Sequence, residues 1–84
     1  MTYSIGIKQS AAKALEKVTG EDRRRIIAGI DQLKTNPTAG SVLKGEFSGL
    51  RRIRIGNYRV VYEVSDQQLV VLVIRIGHKW EVYR

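Results

Sequence analysis

No cysteine occurs in these 84 residues, so no disulfide can staple the fold and no thiolate can act as nucleophile or metal ligand. A single histidine, His78, removes the usual clustered zinc site. Long apolar runs are missing too. The longest, Leu69 to Ile74, is far too short to span a bilayer, and Met1 to Ile7 lacks the charged start and apolar stretch of an export signal. The expectation is a cytoplasmic chain with no membrane partner. Acidic residues are scarce, eight Asp and Glu against fifteen Lys and Arg, and the resulting formal charge of +7 favours a polyanion, nucleic acid first. Length imposes the last restriction. A single domain over residues 1–84 buries only roughly 60–65% of its unfolded surface, which leaves room for a shallow surface site and little for a deep apolar pocket.

What is present organises cleanly. Tyr3 to Ile7 alternates as a short strand, and Ser10 is placed to cap a helix carrying Ala11, Ala14, Leu15 and Val18 at helical spacing. Thr19-Gly20 breaks it. Glu21 and Asp22, whose charges suit a helix N-terminus, open a second helix through Ile26, Ile27, Ile30 and Leu33, stopped by Asn36-Pro37. Thr38 to Gly49, with glycines at 40, 45 and 49, reads as a loop with a brief turn around Val42-Leu43-Lys44. Two strands follow, Leu50 to Ile55 and Tyr58 to Val64, joined at Gly56-Asn57. Leu69 to Ile74 is apolar at every position, as in a strand covered on both faces at the centre of a sheet, and Gly77 to Arg84 bends away. The order is β-α-α-β-β-β, an α+β fold with a helical hairpin on one face of a mostly antiparallel sheet.

The hairpin carries the strongest signal. A two-residue loop sets Ile55 opposite Tyr58, Arg54 opposite Arg59 and Ile53 opposite Val60, so Ile53, Ile55, Tyr58, Val60 and Tyr62 share one face while Arg52, Arg54, Arg59 and Val61 share the other. The helices should cover the first face and leave the second open. Like charges directly opposite each other are destabilising, a cost that an anionic ligand would offset. Basic residues also occur on strand edges simply to block aggregation, but three on one face favour binding. Guanidinium groups contact phosphate in pairs of hydrogen bonds and stay protonated, so they position a phosphodiester and stabilise its developing charge without serving as bases.

Other candidates are single residues. His78 is the one side chain of a type that ordinarily titrates near neutrality, about pH 6.5, although a lone histidine is usually structural. A tyrosine such as Tyr83 becomes a candidate base when neighbouring cations favour its phenolate; otherwise it packs at a chain end. Lys79 can stabilise a phosphate or protonate a leaving group, and Trp80 can stack on a base or, slightly favoured, cover a corner of the core. The carboxylates are scattered and no nucleophile elbow or phosphate loop is present, so catalysis, if any, uses neither metal nor cofactor. Such a set suits RNA, whose 2′-OH supplies the nucleophile.

Leu43-Lys44-Gly45, the run Leu50-Arg51-Arg52-Ile53-Arg54-Ile55-Gly56-Asn57-Tyr58-Arg59-Val60-Val61-Tyr62, Ile76-Gly77-His78-Lys79 and Glu81-Val82-Tyr83 together resemble RelE-type toxins of the RelE/ParE superfamily. The resemblance runs nearly end to end. It implies a toxin of a type II toxin–antitoxin system, a ribosome-dependent endoribonuclease that cuts mRNA in the decoding site through 2′-OH attack. It implies as partners the ribosome and mRNA, and a RelB-like antitoxin whose acidic or amphipathic segment wraps the toxin; operator DNA is reached only through that complex. Residue by residue, Arg52 and Arg54 match the two basic strand positions, Arg59 the arginine of Tyr-Arg-Val, and Tyr83 the C-terminal tyrosine; Lys79 stands where the family usually has Arg, with His78 beside it. Lys44, Arg51 and Trp80 complete the set as candidate RNA contacts. ParE-like toxins, which share the fold but poison DNA gyrase, are the alternative.

Overall fold

A computed structural model describes residues 2–81. Strand β1 (Ser4–Ile7) leads to helices α1 (Gln9–Glu16) and α2 (Gly20–Gln32), then to strands β2 (Ser41–Val42), β3 (Arg51–Ile55), β4 (Tyr58–Ser65) and β5 (Val70–His78). The five strands form one sheet in the order β1-β5-β4-β3-β2, in which only the β1–β5 pair is parallel. This is the α+β arrangement expected, with three differences. The segment read as a loop contributes a two-residue edge strand, β2, followed by a 3₁₀ turn at Gly45–Phe47. The apolar strand continues four residues past Ile74 to His78, and the middle place in the sheet goes to β4, with β5 beside it. Ser10 lies inside α1 and does not cap it. Lys8 explains why: its N–H still bonds Val73 of the sheet at 2.9 Å while its carbonyl already accepts from Ala12 at 2.9 Å, so strand passes to helix two residues early.

Both helices lie on one face, α1 over β5 and α2 over β3 and β4. Ala11 of α1, Ile26 and Ile30 of α2, and Val18 and Leu33 just after the two helices pack with Val60, Tyr62, Val71, Val73 and Ile76, while Ile53, Ile55 and Tyr58 border that core. No helix among the described residues is long and apolar enough to cross a membrane. The hairpin turns at Gly56, whose φ of 58° suits glycine, and its register is the expected one.

Tyr62 ties the connection after α2 to the sheet. Its buried hydroxyl accepts from the Gly40 N–H at 2.9 Å and donates to the Pro37 carbonyl at 2.8 Å, while Arg51 Nη1 donates to the Gly40 carbonyl at 2.8 Å. A side chain at Gly40 would meet the Arg52 carbonyl oxygen at 2.6 Å, so only glycine lets the backbone approach this closely. Tyr62→Phe leaves a buried N–H without its acceptor, at a cost of about 1–3 kcal/mol, and a thermal melt should show Tm lower by about 5 °C or more. Burial pushes the Tyr62 hydroxyl above its ordinary pKa of 10.0, outweighing the opposite pull of the Gly40 N–H and the Arg51 charge. The folded state thus holds this proton more tightly than the unfolded one. The associated stability is complete below pH 10 and is lost as pH rises through the folded pKa, an alkaline loss the phenylalanine variant should lack.

Candidate nucleic-acid interface

The pairing of three strands builds a basic surface on the face that neither helix covers. Alternation along β3 and β4 turns Ile53, Ile55, Tyr58, Val60 and Tyr62 to the helices and Arg52, Arg54, Arg59 and Val61 away from them. Arg54 pairs with Arg59, and Arg52 with Val61. On the far side of β4, Val61 pairs with Arg75 and Arg59 with Gly77. Two rows result, Arg52–Val61–Arg75 and, one step along the strands, Arg54–Arg59–Gly77. Val61 is only 2% exposed although no helix lies over it. Its flanking partners across the sheet are arginines, whose aliphatic stems can cover it while their heads reach solvent. Consistent with a stem lying flat on the sheet, the Arg52 Nε is buried. Arg54 is exposed and Arg59 half-buried, its Nη1 donating to the carbonyls of Tyr58 at 3.0 Å and Gly56 at 3.2 Å. Those bonds bring the Arg59 head back over the hairpin turn. A shallow cavity of about 290 Å³ lined by Ala39, Gly40, Ser41, Arg52, Ile53 and Arg54 borders the surface at β2.

The remaining candidates are dispersed. Arg51 pairs with Tyr62 and so belongs to the helix side, where its guanidinium holds the Gly40 carbonyl and sits 3.4 Å from that of Thr38. Lys44 is exposed ahead of the 3₁₀ turn. His78 lies apart from the arginines. It is the last residue of β5 and pairs with Tyr58, so it too faces the helix side, away from the arginines. Its ring meets Tyr58 edge-on at 5.7 Å and stacks with Trp80 at 6.3 Å, and its Nδ1 lies 3.4 Å from the Trp80 N–H. A second cavity, of about 550 Å³, lies on this helix side between α1 and the end of β5, lined in part by Lys13, Lys17, Tyr58, His78 and Glu81. Trp80 is 69% exposed and therefore covers no corner of the core; Lys79 Nζ lies 4.9 Å over its ring. Tyr83 falls outside the described residues.

Residues 5–83 match the sequence profile described as the ParE toxin of the type II toxin–antitoxin system, parDE. The chain belongs to the RelE/ParE superfamily of type II toxins. It is 28% identical to Toxin RelG of Mycobacterium tuberculosis over all of this chain and 99% of that protein, and 30% identical to Toxin RelE of the same organism over 98% of this chain and 87% of that one. Among solved structures it is similar to the archaeal RelE–RelB complex from Pyrococcus horikoshii, with a TM-score of 0.80 and 30% identity, over 98% of this chain and all of that one.

Arg75 is the member of this toxin's basic face that sequence reasoning missed. Val71 and Val73 point to the core, so strict alternation would send residue 75 inward as well. An irregularity in the β4–β5 pairing intervenes: Val61 opposes Arg75 and the next residue, Tyr62, opposes Val73, which leaves Ile74 as the extra residue of a bulge. Alternation restarts with Arg75 outward and Ile76 in the core, 4% exposed. The signal was there in the three-residue step from Val73 to Ile76, where a regular strand has two.

Proposed function

We propose that this toxin is an endoribonuclease that cuts mRNA on the ribosome. The observation that carries the proposal is the in-register set Arg52, Arg54 and Arg59 on a sheet face that no helix covers. A like-charge pair facing across two strands costs stability in the free protein and gains when a phosphodiester lies over it. The chemistry needs no group beyond side chains and substrate. The 2′-oxygen of the nucleotide preceding the cut attacks phosphorus as a base takes its proton; the bond to the 5′-oxygen breaks, and that oxygen is protonated as it leaves. The products are a 2′,3′-cyclic phosphate and a 5′-OH. Arg52, Arg54 and Arg59 hold the phosphate and offset the charge gathering on its free oxygens, Tyr83 takes the 2′-OH proton, and Lys79 gives the proton to the leaving 5′-oxygen. A basic toxin of this kind also needs restraint, which an antitoxin carrying an acidic or amphipathic segment supplies. RelE of Pyrococcus horikoshii, similar to this chain in structure, was solved in complex with RelB.

A second reading has its own support, because the matching family profile is that of ParE toxins. One experiment separates the two. The chain is expressed in bacteria, transcript 5′ ends are mapped on translating ribosomes, and covalent gyrase–DNA complexes are measured in the same cells. Cuts within translated codons that vanish when initiation is blocked are the expected result. Trapped gyrase with intact mRNA would reject the nuclease.

A further inference from the structure

Arg75 faces the same solvent as Arg52, two strand spacings away, or about 10 Å between backbones, with Val61 between them. The row lies two residues, about 6.6–6.8 Å, along the strands from the Arg54–Arg59 pair. Glu63, opposite Leu72, is the carboxylate in the next row of this face. The bulge at Ile74 is what turns Arg75 outward; it also places Arg75 directly across from buried Val61, which its aliphatic stem is long enough to cover. We propose that Arg75 adds a second phosphate-binding step beside Arg52, which holds a phosphodiester flanking the scissile one, so that the RNA backbone tracks across β3, β4 and β5. Arg75 is then a binding and positioning residue that contributes to RNA affinity and leaves the chemical step to Arg52, Arg54 and Arg59. The inference rests on the nuclease proposal for its biological meaning, but its binding component is measurable without cleavage.

The structural alternative is that Arg75 merely covers Val61. Arg75→Met separates the two, because methionine keeps an apolar stem over Val61 and removes the charge; Arg75→Lys restores the charge. Binding of the free toxin to a fluorescently labelled single-stranded RNA dodecamer is followed by anisotropy across a salt series. The dodecamer carries 2′-deoxy nucleotides, so that it has no 2′-OH to attack and nothing is cut. Losing one phosphate contact should make the plot of log affinity against log salt shallower by about 0.7 for Arg75→Met and leave it at the parent value for Arg75→Lys. In the cleavage assay on programmed ribosomes with ordinary mRNA, Arg75→Met should raise the half-saturating toxin concentration about 5- to 10-fold. The rate at saturation should stay within about 2-fold, the mark of lost uniform binding. Glu63→Gln, which removes the competing negative charge, should tighten RNA binding. An unchanged salt slope for Arg75→Met with an unchanged melting temperature overturns the second step. Failure of the nuclease proposal looks different: the parent toxin itself leaves ribosome-bound mRNA intact, whatever the dodecamer slopes show.

Discussion

Arg59→Ala should slow single-turnover mRNA cleavage by about 10²- to 10³-fold, the loss measured when one preorganised donor to a developing oxyanion is removed, and should end toxicity in growing cells. The fold should survive. The bonds Arg59 makes, to the carbonyls of Gly56 and Tyr58, are at the solvent-facing hairpin, where water replaces them, and removing its charge relieves the opposition with Arg54. A melting temperature within a few degrees of the parent, together with lost cleavage at saturating ribosomes, is the expected pair of results. Arg54→Ala should behave in the same direction, since it completes the same row. If Arg59→Ala instead unfolds the protein, its guanidinium holds the hairpin together and is not poised for substrate. A fully toxic variant would remove the arginine face from the mechanism.

The hairpin was legible in the sequence because everything that fixes it is local. The two-residue Gly56-Asn57 loop sets the register, and period-two alternation then assigns Arg52, Arg54 and Arg59 to one face and Ile53, Ile55 and Val60 to the other. The helices were legible for the same reason, through the spacing of Ala11, Ala14 and Leu15 and of Ile26, Ile27 and Ile30, although Val18 and Leu33, read as helical, fall just past their ends. Where the outcome depends on a neighbour in space, alternation and capping rules fail. Ser10 has the chemistry of a cap, but Lys8 is held by Val73 across the sheet and the helix starts before Ser10. Arg75 and His78 depend on a bulge that exists only in the β4–β5 pairing. Without it, residues 75 and 77 would face the helices and residue 78 the arginines, so one extra residue in β5 separates His78 from the proposed site and adds Arg75 to it. Trp80 illustrates the opposite limit: a large aromatic near a chain end is usually core, and only the turn after β5 leaves it in solvent.

That same bulge bears on the two candidate bases through the place it gives His78. His78 stacks against Tyr58 and Trp80 on the helix side, so a phosphodiester held by Arg54 and Arg59 lies across the sheet from its ring. His78→Gln should therefore change the single-turnover cleavage rate by less than about 3-fold, well short of the 10² that a positioned proton acceptor contributes. Tyr83, matched to the family's C-terminal tyrosine, should carry the larger effect. Tyr83→Phe should keep ribosome binding yet cut at least about 10²-fold more slowly. The pH dependence gives an independent check with a definite sign. An imidazole base is fully available once it is neutral, so its rate levels off above about pH 6.5. A phenol starts near pKa 10, and a guanidinium beside it would lower that value by favouring the phenolate, so the active fraction of such a base keeps growing with pH above neutrality. A parent rate still climbing above about pH 7, and flattened in Tyr83→Phe, fits the tyrosine. Tyr83→Phe cutting at the parent rate on saturating ribosomes would exclude Tyr83 as the proton acceptor. Because His78 faces away from the arginines, the 2′-OH proton would then have to pass to another residue on the arginine side or to a water oriented there.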